Sequence, residues 1–101
     1  MNKIEYIQNW CEKKGSFSFF LPNGTEGRPF DNSYQVISIK ESEKVLVIRL
    51  SHNIEFILEG DFILRDEVYN LIITILGKLT YKKNGVVKQY YTDGEFCLSG
   101  F

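Results

Sequence analysis

The sequence predicts an α+β domain, mainly β, in which an amino-terminal helix packs on a strongly twisted antiparallel meander of about six or seven strands that can curl into a partial barrel. Three observations lead there. Helical spacing of apolar residues is clearest in residues 2–14, most of the rest alternates or carries β-branched and aromatic runs, and strong hairpin dipeptides stand at Asn84-Gly85 and Asp93-Gly94.

The helix is read from Ile4, Ile7, Trp10 and Cys11, which share one stripe, with Asn2 as cap and Glu5 as third helical residue. Lys13 and Lys14 suit the negative end of a helix, and Gly15 suits a left-handed exit. From Ser16, serines alternate with Phe17 and Phe19, which predicts a strand with one polar face that ends at the turn residues Pro22-Asn23-Gly24. Tyr34 to Lys40 and Lys44 to Leu50, parted by Glu41-Ser42-Glu43, read as a hairpin. Val45-Leu46-Val47-Ile48 is apolar on both faces, so its strand is expected to be central.

Ser51-His52-Asn53 turns into Ile54 to Glu59, where Ile54, Phe56 and Leu58 fall on one face and Glu55 and Glu59 on the other. Gly60-Asp61 breaks that strand, and Phe62 to Arg65 is a further extended piece. Residues 68–81 admit two readings. Val68, Leu71, Ile72, Ile75, Leu76 and Leu79 sit at helical spacing behind Asp66, whereas Tyr69, Leu71, Ile73, Ile75, Leu79 and Tyr81 sit at strand spacing opposite Asn70, Thr74, Lys78 and Thr80. The β-branched content favours strand, with Gly77 as a bend or bulge, and this reading leads straight into the Asn84-Gly85 turn. Val86 to Thr92 and Glu95 to Phe101 complete the meander.

The chain of 101 residues fits a single domain, 1–101, and its 44% hydrophobic and 15% aromatic residues are ample for one core. Twelve basic against 13 acidic side chains leave no broad field for a nucleic-acid backbone, so neither DNA nor RNA is expected as a partner. The start of the chain lacks a signal-peptide pattern and no run is long enough to span a membrane, which predicts a cytoplasmic protein with no membrane partner. Cys11 and Cys97 share no ligand spacing and read as two buried, reduced thiols. His52, the one histidine, has no carboxylate positioned to orient it, and no nucleophile-base-acid set can be argued. Glu55, Glu59, Asp61, Asp66 and Glu67 lack calcium-loop spacing and read as solvated faces. Neither metal nor cofactor is expected, and enzymatic activity is not.

The candidate site is the stretch from Leu21 to Asn32, which holds both prolines, two glycines and a compact Arg/Asp/Asn set. Pro22 and Pro29 fix backbone angles that Gly24 and Gly27 complement, so an ordered loop is expected. Arg28 offers a bidentate fork to a carboxylate or phosphate, with Asp31 and Asn32 able to orient it or meet a ligand, or simply to cap a turn. Glu26 argues against a phosphate cradle. Tyr69, Tyr81, Tyr90 and Tyr91 can line an interface or form cross-strand pairs, and Lys82, Lys83 and Lys88 can shield an exposed hairpin.

Leu21, Pro22, Gly24, Gly27, Arg28, Pro29, Phe30, Asp31 and Asn32 fit a Leu-Pro-x-Gly-x-x-Gly-Arg-Pro-aromatic-Asp-Asn motif. In this the chain resembles a family of small bacterial proteins in which the motif precedes several β-strands, though Thr25 and Glu26 stand where that family often has aromatics. The resemblance implies a bacterial origin and a common scaffold, and no activity. The leading expectation is a small non-enzymatic binding or protein-interaction module using the Asn23-Asn32 loop, with Glu26, Arg28, Asp31, Asn32 and Tyr90 as contact residues. A protein partner is expected, and a homodimer through an edge strand is open. Two alternatives stand beside it: an immunity-type protein that neutralises a toxin, using Glu26, Asp31 and other carboxylates, and a small-ligand protein or enzyme with a pocket around Arg28 and Asp31.

Overall fold

A computed structural model describes residues 2–22 and 34–100. Its one helix, α1 (Lys3–Lys14), starts and stops on the residues that the sequence marks. Asn2 Oδ1 accepts the Glu5 amide at 2.8 Å while Asn2 Nδ2 donates to Glu5 Oε1 at 3.3 Å, a reciprocal cap that satisfies a donor the helix itself cannot. At the far end Gly15, with φ of 77°, donates to the Cys11 carbonyl.

Nine strands follow: β1 (Ser18–Phe20), β2 (Val36–Ser42), β3 (Val45–Leu50), β4 (Ile54–Glu59), β5 (Phe62–Glu67), β6 (Asn70–Ile75), β7 (Lys78–Lys83), β8 (Val86–Tyr91) and β9 (Glu95–Ser99). All pairings are antiparallel. The expected single meander of six or seven strands is corrected on two points. Among the described residues there are nine strands, and they form two sheets, a four-stranded one ordered β1-β9-β6-β5 and a five-stranded one ordered β2-β3-β4-β7-β8. Residues 68–81 are strand, as preferred, but they supply parts of two strands.

The reason is a corner. β4 continues into β5 and β6 into β7, so residues 54–83 are one long hairpin that passes from one sheet to the other between the pairs Glu59↔Lys78 and Phe62↔Ile75. At that point Gly60 (φ 85°) and Gly77 cross so closely that a Cβ on Gly77 would lie 2.0 Å from the Glu59 carbonyl oxygen. Bent strands that switch sheets are how two facing sheets are joined at a corner.

The fold brings aromatic rings from both sheets together. Phe56 of β4 stacks on Tyr81 of β7 at 5.6 Å, meets Phe96 of β9 at 4.7 Å, and takes the edge of Phe19 of β1 at 5.1 Å. All four are buried, and such ring pairs add to the area term. The period-two reading is visible in their neighbours: Ile54, Phe56 and Leu58 are buried, as are Leu71, Ile73, Ile75, Leu79 and Tyr81. Ser18 departs from the expected polar face. It is buried because a small hydroxyl can donate across the ladder, here to the Ser99 carbonyl at 3.4 Å.

α1 lies along β5, the edge of the four-stranded sheet, and reaches β2 on its other flank. Lys3 Nζ bonds the Phe62 carbonyl and Asp61, Tyr6 donates to Asp66, and Lys14 Nζ donates to the Val68 carbonyl at 3.1 Å. Ile7, Trp10 and Cys11 are thereby buried, with Trp10 edge-on to Phe17 at 5.7 Å. Val68, in the β5–β6 turn, has φ of 57°, which a β-branched residue adopts at a cost.

Two substitutions read these backbone constraints. Gly77→Ala should lower unfolding free energy by about 3 kcal/mol, because its Cβ has only rigid backbone to displace. Val68→Gly should raise it by about 1 kcal/mol by relieving the left-handed strain at a side chain that is 73% exposed. Urea denaturation of both variants beside the parent measures each sign and size.

Candidate functional site

β7 and β8 form a hairpin at the outer end of the five-stranded sheet. Its turn is Asn84-Gly85, both residues with positive φ (55° and 77°), the geometry this dipeptide favours. Because β8 is last in the order, one side of its backbone takes no part in the ladder formed by the described residues. Edge strands that expose apolar side chains are uncommon unless a partner covers them. Here Val86 is 57%, Val87 52% and Tyr90 65% exposed.

The register explains how two of these share a face. Tyr81 pairs with Gln89 and Lys82 with Val87, so β8 holds one extra residue, Lys88, as a bulge. Without that insertion Val87 and Tyr90 would point to opposite faces. With it, Tyr90 stands beside Thr80 and Val87 beside Lys82, both on the outer face opposite buried Leu79 and Tyr81. Tyr90 ends a cross-strand row that runs Val47, Ile57, Thr80, Tyr90.

The adjacent row is charged. Glu55 lies 3.6 Å from both Arg49 and Lys82, so these three largely compensate one another. Lys78 places its ammonium 5.1 Å from the centre of the Tyr90 ring. On the other side of the hairpin, Lys83, Asn84, Lys88, Gln89 and Tyr81 line a hollow of about 450 Å³. Among the described residues neither Lys83 nor Lys88 makes an ion pair. From 78 to 92 the chain has four lysines and no Asp or Glu.

Of the residues the sequence singles out, Tyr90 is thus on the exposed edge, while Glu26, Arg28, Asp31 and Asn32 lie outside the described residues. The four candidate tyrosines do not form one patch. Tyr81 is buried in the core, and Tyr69 stands in the β5–β6 turn of the other sheet, 5.5 Å beneath the Lys14 ammonium. His52 shares a hydrogen bond with Ser51 through Nδ1 at 3.2 Å and meets the Tyr34 ring edge-on at 5.2 Å. Among the described residues no three His, Cys, Asp or Glu side chains gather as a metal site would require.

A second cavity, of about 560 Å³, opens between the start of α1 and the glycine corner, over Ile4, Leu46, Leu58 and Phe62. Its Lys3 and Asp61 are bonded to each other at 3.0 Å. That bond, with the Phe62 amide, holds the Asp61 carboxyl below its ordinary range. The sequence reading missed this cavity because it needs the corner to exist. It missed the bulge because an extra residue in one strand shows only against its partner.

No protein family, curated protein or solved structure matches the chain.

Both cysteines are free thiols. Burial, aided by Glu12, pushes Cys11 up to about 12, and burial, aided by Glu67 and Glu95, pushes Cys97 up to about 11. A folded pKa above the unfolded one favours folding below the unfolded value and loses that contribution as pH rises toward the folded value. Stability should therefore fall from about pH 9 upward more steeply in the parent than in a Cys11→Ala/Cys97→Ala variant, compared by urea denaturation under reductant. A thiol reagent at pH 8 should label both cysteines slowly until the chain unfolds.

Proposed function

We propose that the chain is a small protein-interaction module that takes an extended segment of a partner protein along the free edge of β8. The supporting observation is the exposure of Val86, Val87 and Tyr90 on a strand with an open ladder. Strand addition uses such an edge for affinity through main-chain hydrogen bonds and reads alternate side chains for specificity. Tyr90, beside the Lys78 ammonium at the end of the cross-strand row Val47, Ile57, Thr80, is the aromatic anchor of the surface. The expected Asn23-Asn32 loop lies outside the described residues, so this reading rests on the hairpin alone.

Binders selected from a displayed random-peptide library against the folded chain, then mapped by amide-resolved NMR, test the reading. Bound peptides should shift the β8 amides and slow their exchange. A Val87→Asp/Tyr90→Asp variant, altered at exposed positions that folding tolerates, should bind them at least about tenfold more weakly. Shifts confined to other strands, or unchanged affinity in the variant, would overturn it.

A further inference from the structure

Resting on that reading, we infer that the segment β8 accepts is acidic: one whose apolar residues face Val87 and Tyr90 while its alternate carboxylates face the hollow held by Lys83 and Lys88. The hairpin has four lysines and no acid between 78 and 92, yet the four are not equivalent. Lys82 is compensated by Glu55 and Lys78 is placed over Tyr90, which leaves Lys83 and Lys88 without ion pairs among the described residues. These two line one hollow together with Tyr81, Asn84 and Gln89. Two lysines and two amide residues around one hollow suit a carboxylate, which can accept from both kinds of donor.

The geometry of a strand supplies the rest. A strand added about 4.8 Å beyond β8 turns successive side chains to opposite faces. One set then meets the outer face, where the bulge has put Val87 and Tyr90 together, and the other meets the hollow face. The two faces therefore select for an alternation of apolar and acidic residues.

The same charges argue against the other occupants. A second β8 would oppose a strand in which the only charge is Lys88 with another of the same sign, a repulsive pairing. A nucleic acid would use the lysines but leave Val86 and Val87 without a partner, and a chain of net charge −1 has no broad positive field to attract it.

The test uses short synthetic peptides of alternating Val and Glu, Val and Gln, or Val and Lys, titrated into the whole chain and followed by amide-resolved NMR. Oligothymidylate serves as the nucleic-acid probe. The Val-Glu peptide should shift β8 amides and bind about tenfold tighter than the Val-Gln peptide at low salt, with the Val-Lys peptide weakest. That preference should vanish in Lys83→Gln/Lys88→Gln and be halved on a logarithmic scale in Lys88→Gln alone, with the spectra confirming that each is folded. If the Val-Gln peptide binds β8 as tightly as Val-Glu, the acidic selection falls while strand addition stands. If no peptide moves β8 amides, both fall. Oligothymidylate binding the hairpin more tightly than Val-Glu, or concentration-dependent self-association abolished by the double variant, would also overturn the inference.

Discussion

The crossing of Gly60 and Gly77 is the constraint on which the rest of the molecule depends. A long hairpin in a single flat sheet would leave one face of Ile54, Phe56 and Leu58 in water. Bending it at a point where neither strand carries a side chain folds the sheet over on itself, so that β5 and β6 face β4 and β7. The 2.0 Å distance from a hypothetical Cβ to the Glu59 carbonyl shows how little room the bend leaves. No side chain could be accommodated there without opening the corner.

What the corner creates is a shared interior for rings that are remote in the sequence. Phe19, Phe56, Tyr81 and Phe96 come from four strands of two sheets, and Phe56 touches the other three. The helix then seals the β5 edge, with Lys3 and Lys14 bonding backbone carbonyls at either end. These bonds tie the helix to β5 and the turn after it, whereas among the described residues no strand pairs with the outer side of β8. The fold thus protects one flank and presents another.

At the presented flank, a single inserted residue changes the character of the surface. Lys88 moves Val87 onto the face of Tyr90, so that both apolar side chains share the outer face of the edge strand. The charges of the hairpin divide in the same way: those on the outer face find Glu55 or an aromatic ring, and those on the hollow face make no ion pair among the described residues. A β-bulge on an edge strand commonly serves to discourage pairing. In the proposed reading, its twist and lysines that make no ion pair among the described residues discourage a like strand and favour an unlike one.

The sequence by itself determined the local structure. Asn2, Glu5 and Gly15 bound the helix, Asn84-Gly85 set a tight turn, and the alternation of Ile54, Phe56 and Leu58 assigned their buried face, while residues 68–81 fitted both a helical and a strand spacing. These signals act over a few residues, through capping, backbone angles and the period of two, and so can be read without a partner. Strand number and sheet order were decided by tertiary structure. β1 pairs with β9, some eighty residues away, and β4 with β7 across the long hairpin that the glycine corner bends, and no local pattern encodes such pairings. The same holds for the surface: Tyr90 could be named from composition, but its shared face with Val87, and the lack of ion pairs at Lys83 and Lys88 among the described residues, exist only in the register of β8 on β7 and in the charges of the neighbouring strands.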